Sequence, residues 1–333
     1  MTTVNGARRP TIYDVAERAG VSKSLVSLVL RGSPQVSKAR RDAVLTAIAE
    51  LDYRPSQAAT ILASARTGSI EVLIDDYRNL SFVGLVRGVR DGLVDHDYYL
   101  TVTETQLNSS ASGVRRHRPS TQADGRILAA EPTAADLGGW NGPTVVAGLR
   151  GTAPEGADLV ASDDELGVRL ACEHLLGLGH RRIAHLTGSG GPAHHRRAGY
   201  LSSVRAARLR IRMAGQNGGT TEQDGYQSAT ELLDRYPDTT AIIAANDVMA
   251  LGAMAAIREH GRSVPRDISL VGYDNSPLAQ SRYLSLTTVD DRSIAVGAAA
   301  ASTLLARIED PTMTAVRAMI EPTLVVRATT SKP

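Results

Sequence analysis

Cysteine, phenylalanine and tryptophan each occur once in 333 residues, and no apolar run approaches the ~20 residues that a membrane-spanning helix needs. A lone Cys172 excludes an intramolecular disulfide and any multi-cysteine metal site. It sits in an apolar run with Leu170, Leu175 and Leu176, where a buried structural thiol is expected. Residues 1–10 are polar, carry Arg8 and Arg9 and lack the apolar centre of a signal peptide, so the chain is expected in the cytoplasm, away from membranes. The histidines His174, His180, His185, His194 and His195 show no metal-ligand spacing, and neither a metal nor a cofactor is expected. There is no Gly-x-Ser-x-Gly elbow, dinucleotide fingerprint or phosphate loop, and the turn Gly188–Gly191 lacks the lysine of a phosphate cradle. Catalysis is not expected.

What is present is enough to bury substantial cores: 42% apolar and 22% charged residues, over a length that suggests two or three domains. The net charge of +2 is unevenly spread. Residues 1–68 hold ten Lys/Arg against five Asp/Glu, so the head carries +5 and the remainder −3. A basic head on a near-neutral body fits a phosphate-facing module, although a solvated basic face has the same composition.

The head reads as three short helices. Thr11 followed by Asp14 resembles a capping box, and Ile12, Val15, Ala16 and Ala19 share one face of a first helix. Gly20 permits a tight turn, and Ser22 can cap a second helix, Lys23 to about Leu30, with Leu25, Val26, Val29 and Leu30 inward. A third helix begins at Ser37 and carries Ala43, Val44, Ala47, Ile48 and Leu51. This is a helix-turn-helix pattern. The major groove of DNA admits one helix by its N-terminal half, where Ser22, Lys23, Ser24 and Ser27 stand off the core. An ordinary three-helix packing motif gives the same periodicity. Pro55 ends the third helix, and residues 56–64 form an alanine-rich stretch too short to be a stable isolated helix, before a linker at 66–69.

From Ile70 onward, apolar runs alternate with amphipathic stretches. The runs Ile70–Ile74, Tyr98–Val102, Gly125–Ala129, Thr144–Ala147, Ile183–Leu186, Ala241–Ala244 and Ile268–Val271 read as buried strands. Helices are expected over Val83–Leu93, Leu166–Leu178, Ala198–Ala207, Tyr226–Leu233 and Val248–Glu259. So many βα units favour two parallel sheets over one, with ligands bound beyond the carboxyl ends of the strands. Asn246-Asp247, Asp274 and Arg196 follow such runs and can converge on a hydroxyl-rich ligand, but Asn246 and Asp247 can equally cap the next helix.

The stretch Thr11–Leu30 (TIYDVAERAGVSKSLVSLVL), with Val36-Ser37 and Ala49–Pro55, closely resembles the DNA-binding head of the lactose-repressor (LacI/GalR) family. Gly177–Ile183, Arg196–Tyr200, Ala244–Asp247 and Val264–Asp274 resemble the regulatory core of the same family, which is itself similar to periplasmic sugar-binding proteins. The resemblance implies a helix-turn-helix head over 1–55, a hinge helix and linker over 56–68, and an α/β core of two parallel-sheet lobes over 69–333. Lobe 1 is expected over about 69–160 with 291–320, and lobe 2 over about 161–290 with 321–333. It implies operator contacts from Thr11, Tyr13, Ser22, Lys23, Ser24, Ser27, Arg31, Ser37, Tyr53, Arg54, Ser56, Ala59 and Leu62, with Lys23 and Ser24 reading bases and Leu62 wedged in the minor groove. Phe82, Asp163, Arg196, Asn246 and Asp274 are implied to line the effector cleft. Leu28 replaces an arginine common in the family, Ser81 and Arg78-Asn-Leu80 alter the approach to Phe82, and the segment Gln106–Gln122 is unusually polar. With so few aromatics, stacking faces for a sugar ring are scarce, and Trp140 is expected to cover a surface.

The function implied is a sequence-specific DNA-binding transcriptional regulator, a repressor of palindromic double-stranded operators controlled by a small, carbohydrate-like effector. A homodimer is expected, since no leucine heptad follows the core. The alternatives are a sugar-binding protein without a DNA role, or an enzyme on the same α/β framework.

Overall fold

The computed structural model describes residues 10–30, 33, 35–53, 67–75, 77, 79–105, 123–132, 137–151, 153–215 and 218–333. Two compact units, Met1–Thr67 and Gly68–Pro333, divide the chain. Arg31, Arg54, Ser56, Ala59, Leu62, the expected hinge helix and the polar segment Gln106–Gln122 lie outside the described residues.

In the first unit, helices α1 (Ile12–Ala19), α2 (Lys23–Leu30) and α3 (Lys38–Glu50) enclose a small core. Asp14 closes the first turn of α1 by accepting from the backbone N–H and the hydroxyl of Thr11, at 2.6 and 2.7 Å. Gly20 ends it at φ +64°, a left-handed conformation that glycine adopts without a Cβ penalty. Ser22 Oγ then accepts from Leu25 N at 3.3 Å to start α2. Val15, Val26, Val29, Val44 and Ala47 meet in the core, and Arg18 pairs with Glu50 at 2.6 Å to join α1 to α3. Leu30 departs from expectation: it is 39% exposed, while Leu28 packs on the core, the inward face of α2 running through Leu25, Val26, Leu28 and Val29. Ala43 is exposed as well.

The second unit holds two six-stranded sheets. The first has the order β11-β5-β4-β3-β1-β2, from β1 (Ser69–Ile74), β2 (Tyr99–Glu104), β3 (Gly125–Ala129), β4 (Thr144–Ala147), β5 (Asp158–Ser162) and β11 (Arg317–Ile320), all parallel. The second has the order β12-β10-β9-β8-β6-β7, from β6 (Ile183–Leu186), β7 (Met213–Ala214), β8 (Ala241–Ala244), β9 (Ser269–Tyr273), β10 (Thr287–Asp290) and β12 (Thr323–Val325); only β12 is antiparallel. The helices are α4 (Ser81–Gly92), α5 (Asp164–Leu178), α6 (Gly191–Ala206), α7 (Glu222–Arg235), α8 (Asp247–Glu259) and α9 (Ser293–Glu309). The chain passes between the lobes three times, at 162–164, 290–293 and 320–323.

Several elements escape the periodicity reading for physical reasons. Strand β5 opens on Asp158, a fully buried carboxylate that Arg307 of α9 engages at 2.8 and 3.0 Å, so its apolar run is too short to stand out. Helix α9 is rich in small residues because it lies close against α4. A Cβ on Gly88 would come within 2.0 Å of Ile294 O, and one on Gly297 within 2.1 Å of Leu85 O. Cys172 is fully buried among Val168, Tyr200 and Ile243, and burial pushes its thiol up to about 12.

Candidate functional site

Between the lobes lies a cavity of about 130 Å³, walled by residues that follow the strands of both sheets. This is where a doubly wound sheet places ligands, since the loops there are free of ladder hydrogen bonding and helix N-termini converge. Lobe 1 contributes Asp75 after β1, Arg150 after β4 and Phe82 of α4; lobe 2 contributes Arg196 of α6, Asn246 after β8 and Asp274 after β9.

Arg196 organises the floor. Its Nε donates to Asp164 at 2.7 Å, its Nη1 donates to the Ala245 carbonyl at 2.6 Å and to Asp274 at 3.2 Å, and its guanidinium covers the Tyr273 ring at 3.7 Å. Burial alone lowers its pKa, but the two carboxylates outweigh that and raise it, so the cation is permanent. Burial raises the carboxyl of Asp274 well above the usual range, against the opposing pull of Arg196. Behind the floor, Asp247 is fully buried and accepts from Ser276 N, Ser276 Oγ and Thr288 Oγ1 at 2.8, 2.8 and 2.6 Å; burial still lifts it to about 6.

On the lobe 1 side, Arg150 donates to the Ala147 carbonyl at 3.0 Å and faces Asp75 at 3.8 Å, while burial lowers its pKa. Among the described residues, its Nε and Ser162 Oγ are buried without a partner, and both residues line the cavity. Unpaired buried donors at a concave site are the mark of groups that wait for a ligand's acceptors.

Four of the five expected effector residues come together here: Phe82, Arg196, Asn246 and Asp274. Asn246 does two things at once, since its Oδ1 caps α8 through Met249 N at 2.7 Å and its Nδ2 donates to Thr220 O at 3.0 Å on the cavity rim. Asp163 is placed differently. It caps α5 by accepting from Leu166 N at 2.9 Å, and its neighbour Asp164 lines the cavity instead. One residue of helical rotation separates the two roles. Arg150, Ser162, Asp164 and Asp291 were not legible as site residues. Their signal is position alone: Arg150 in the loop after β4, Ser162 at the end of β5, and Asp164 and Asp291 at lobe crossings. Trp140 stands away from the cavity, donating to Thr144 Oγ1 at 2.9 Å and stacked under Arg126 at 4.3 Å.

In the head, Ser22, Lys23 and Ser24 are exposed at the start of α2, and Tyr13 is 63% exposed. Lys23 Nζ donates to the Tyr13 hydroxyl at 3.3 Å and sits 5.0 Å from its ring, so the cation and the phenol present one surface. Ser37 is exposed, Thr11 and Ser27 half-buried. Tyr53, counted among the DNA contacts, is 8% exposed and packs the head together, and burial raises its phenol.

A family model for bacterial regulatory proteins of the lacI family matches residues 11–56, and one for a periplasmic binding protein-like domain matches residues 172–330. The ribose operon repressor of Halalkalibacterium halodurans is 35% identical over 96% of this chain and 97% of its own. Among solved structures, a complex of the transcriptional regulator CelR with cellobiose matches at TM-score 0.67 and 31% identity, covering 96% of this chain and all of that one. The lac repressor dimer bound to operator and an anti-inducer matches at TM-score 0.81 and 27% identity, covering 97% of this chain and all of that one.

Proposed function

The chain belongs to the lacI family of bacterial regulatory proteins and is a DNA-binding transcriptional regulator, and from that premise we propose that a small polyol in the cleft sets its grip on a palindromic operator. One observation carries this reading: Arg196, Asp164, Asp274, Asn246 and the unpaired donors of Arg150 and Ser162 converge between two lobes joined by three crossings. Such a frame closes on a ligand as a hinge. The protein acts as a homodimer, as the lac repressor does in its operator complex, and closure alters the spacing of two heads on the two half-sites. The effector is carbohydrate-like, in keeping with the cellobiose of CelR.

The protein is a repressor released by its effector, works in the cytoplasm and performs no catalysis; its relatives are regulators, and no helix among the described residues is long and apolar enough to cross a membrane. Selection of bound DNA from a random pool, followed by fluorescence anisotropy on the selected site with single sugars added, tests it. Tight binding to a palindrome, weakened by one sugar, is the expected result. Binding without preference for any palindrome, or insensitive to every sugar that the cleft binds, defeats the reading.

A further inference from the structure

We propose that the cleft selects a ligand bearing a cationic amine, and that Asp291 is the residue that selects it. The inference rests on the reading of this cavity as an effector site and goes on to the charge of its occupant.

Among the described residues, four carboxylates line the cavity, Asp75, Asp164, Asp274 and Asp291, against two guanidiniums, Arg150 and Arg196. Three of the four are paired: Asp164 and Asp274 with Arg196 at 2.7 and 3.2 Å, Asp75 with Arg150 at 3.8 Å. Asp291 is the lining carboxylate that, among the described residues, has no cation within ion-pair distance. Its Oδ1 accepts the backbone N–H of Ser293 at 3.0 Å, where α9 begins. The groups facing it deepen the deficit. Asp164 of α5 and Asp274 after β9 are acidic neighbours already committed to Arg196, and the adjoining Asp290 engages Asn275 at 3.2 Å and Arg292 N at 2.7 Å. Burial, with Arg196 pulling the other way, raises Asp291 to about 7.

A closed cleft holding such a surplus disfavours any anionic ligand, because an added negative charge is desolvated beside a carboxylate that lacks a counter-ion. A neutral polyol offers Asp291 hydroxyl donors but no counter-charge. An ammonium supplies the missing charge and donates up to three hydrogen bonds. The ligand's other end is specified independently: Arg150 Nε and Ser162 Oγ are buried, unpartnered and line the same cavity, so they await acceptors such as ring or hydroxyl oxygens. An amino-substituted cyclic polyol has this chemistry.

The test is calorimetry on the full-length protein without DNA, using small cyclic compounds in matched hydroxyl and amine pairs, glucose with glucosamine and galactose with galactosamine among them, and glucose 6-phosphate as the anion. At least one amine binds roughly ten- to a hundredfold more tightly than its hydroxyl twin, and the phosphate ester does not bind. In Asp291→Asn that preference is lost, the amine falling to no better than its hydroxyl twin; Asp291→Ser gives the same loss of preference should the asparagine variant be poorly folded. The proposal fails if no amine outbinds its twin, including the case in which nothing binds, or if the variants retain the preference. A neutral sugar that binds and releases operator, with no amine preference, overturns this inference and leaves the regulatory reading standing. A preferred amine that leaves operator affinity unchanged does the reverse.

Discussion

The carboxylate of Glu131, which follows β3 in lobe 1, accepts the backbone N–H of Gly191 at 2.9 Å, at the first turn of α6 in lobe 2. The same oxygen accepts Gly151 N at 2.8 Å, so one side chain ties a lobe 1 loop and a lobe 2 helix together. An anion is favoured at a helix N-terminus by the unpaired N–H groups and the helix dipole. Removing it in Glu131→Ala should weaken effector binding by about 1–3 kcal/mol, and Glu131→Gln, which keeps an acceptor but not the charge, should fall between. Calorimetric titration of both variants with the same effector checks the order; equal affinities would show that the contact does not stabilise closure.

Gly191 itself permits the lobes to approach this closely. A Cβ there would lie 2.4 Å from Leu149 O and 2.7 Å from Arg150 Cα, both backbone atoms that cannot swing aside. Gly191→Ala is therefore expected to hold the lobes apart, lowering effector affinity roughly five- to a hundredfold, by about 1–3 kcal/mol as for other overpacked sites. Solution scattering with saturating effector should show the variant remaining at the larger radius.

The close crossing of α4 and α9 makes a parallel prediction for stability. Gly297→Ala should cost about 1–3 kcal/mol, since its Cβ meets the Leu85 carbonyl at 2.1 Å. A thermal melt in which the variant matches the wild type would mean that the two helices slide apart without loss.

At the head, Lys23→Ala should weaken operator binding by about 1–3 kcal/mol, relax base preference at one position per half-site and lower the salt slope by roughly one. Leu62→Ala should abolish specific binding while effector binding persists, as a minor-groove wedge requires. Gel-shift titrations at several salt concentrations read both; unchanged operator affinity for either variant removes that residue from the interface.

His185 predicts a pH effect. It is fully buried, its Nδ1–H donates to the Ile243 carbonyl at 2.9 Å, and its ring stacks on Tyr200. Burial lowers its pKa to about 4, below an unfolded value of about 6.5. Between those values the unfolded chain binds more protons, so this stabilisation is complete above about pH 6.5 and is lost as pH falls toward 4, up to roughly 3 kcal/mol. Asp247, raised to about 6, acts oppositely, because its folded form keeps a proton longer. His185→Asn retains an N–H donor without titrating and should flatten the acid limb measured by denaturant unfolding across this range. An unaltered limb would assign it to other groups.

The three helices of the head were legible in the sequence because what makes them is local. Thr11 with Asp14, Gly20 and Ser22 act within one turn, and the inward valines follow the helical repeat. Six strands of the core were legible for a related reason, since buried parallel strands are short apolar runs whatever they pair with, whereas the run Tyr98–Val102, expected to be buried, is the largely uncovered edge strand β2. Arg196, Asn246 and Asp274 were reached through position after such runs and through resemblance. Tertiary structure alone decided which of the adjacent residues Asp163 and Asp164 enters the cleft, that Arg150 and Ser162 carry unpaired donors, and that Asp291 stands beside Arg196 from a segment nearly a hundred residues away. Those relations depend on how two lobes and three crossings pack, and contacts between distant segments leave no period along the chain.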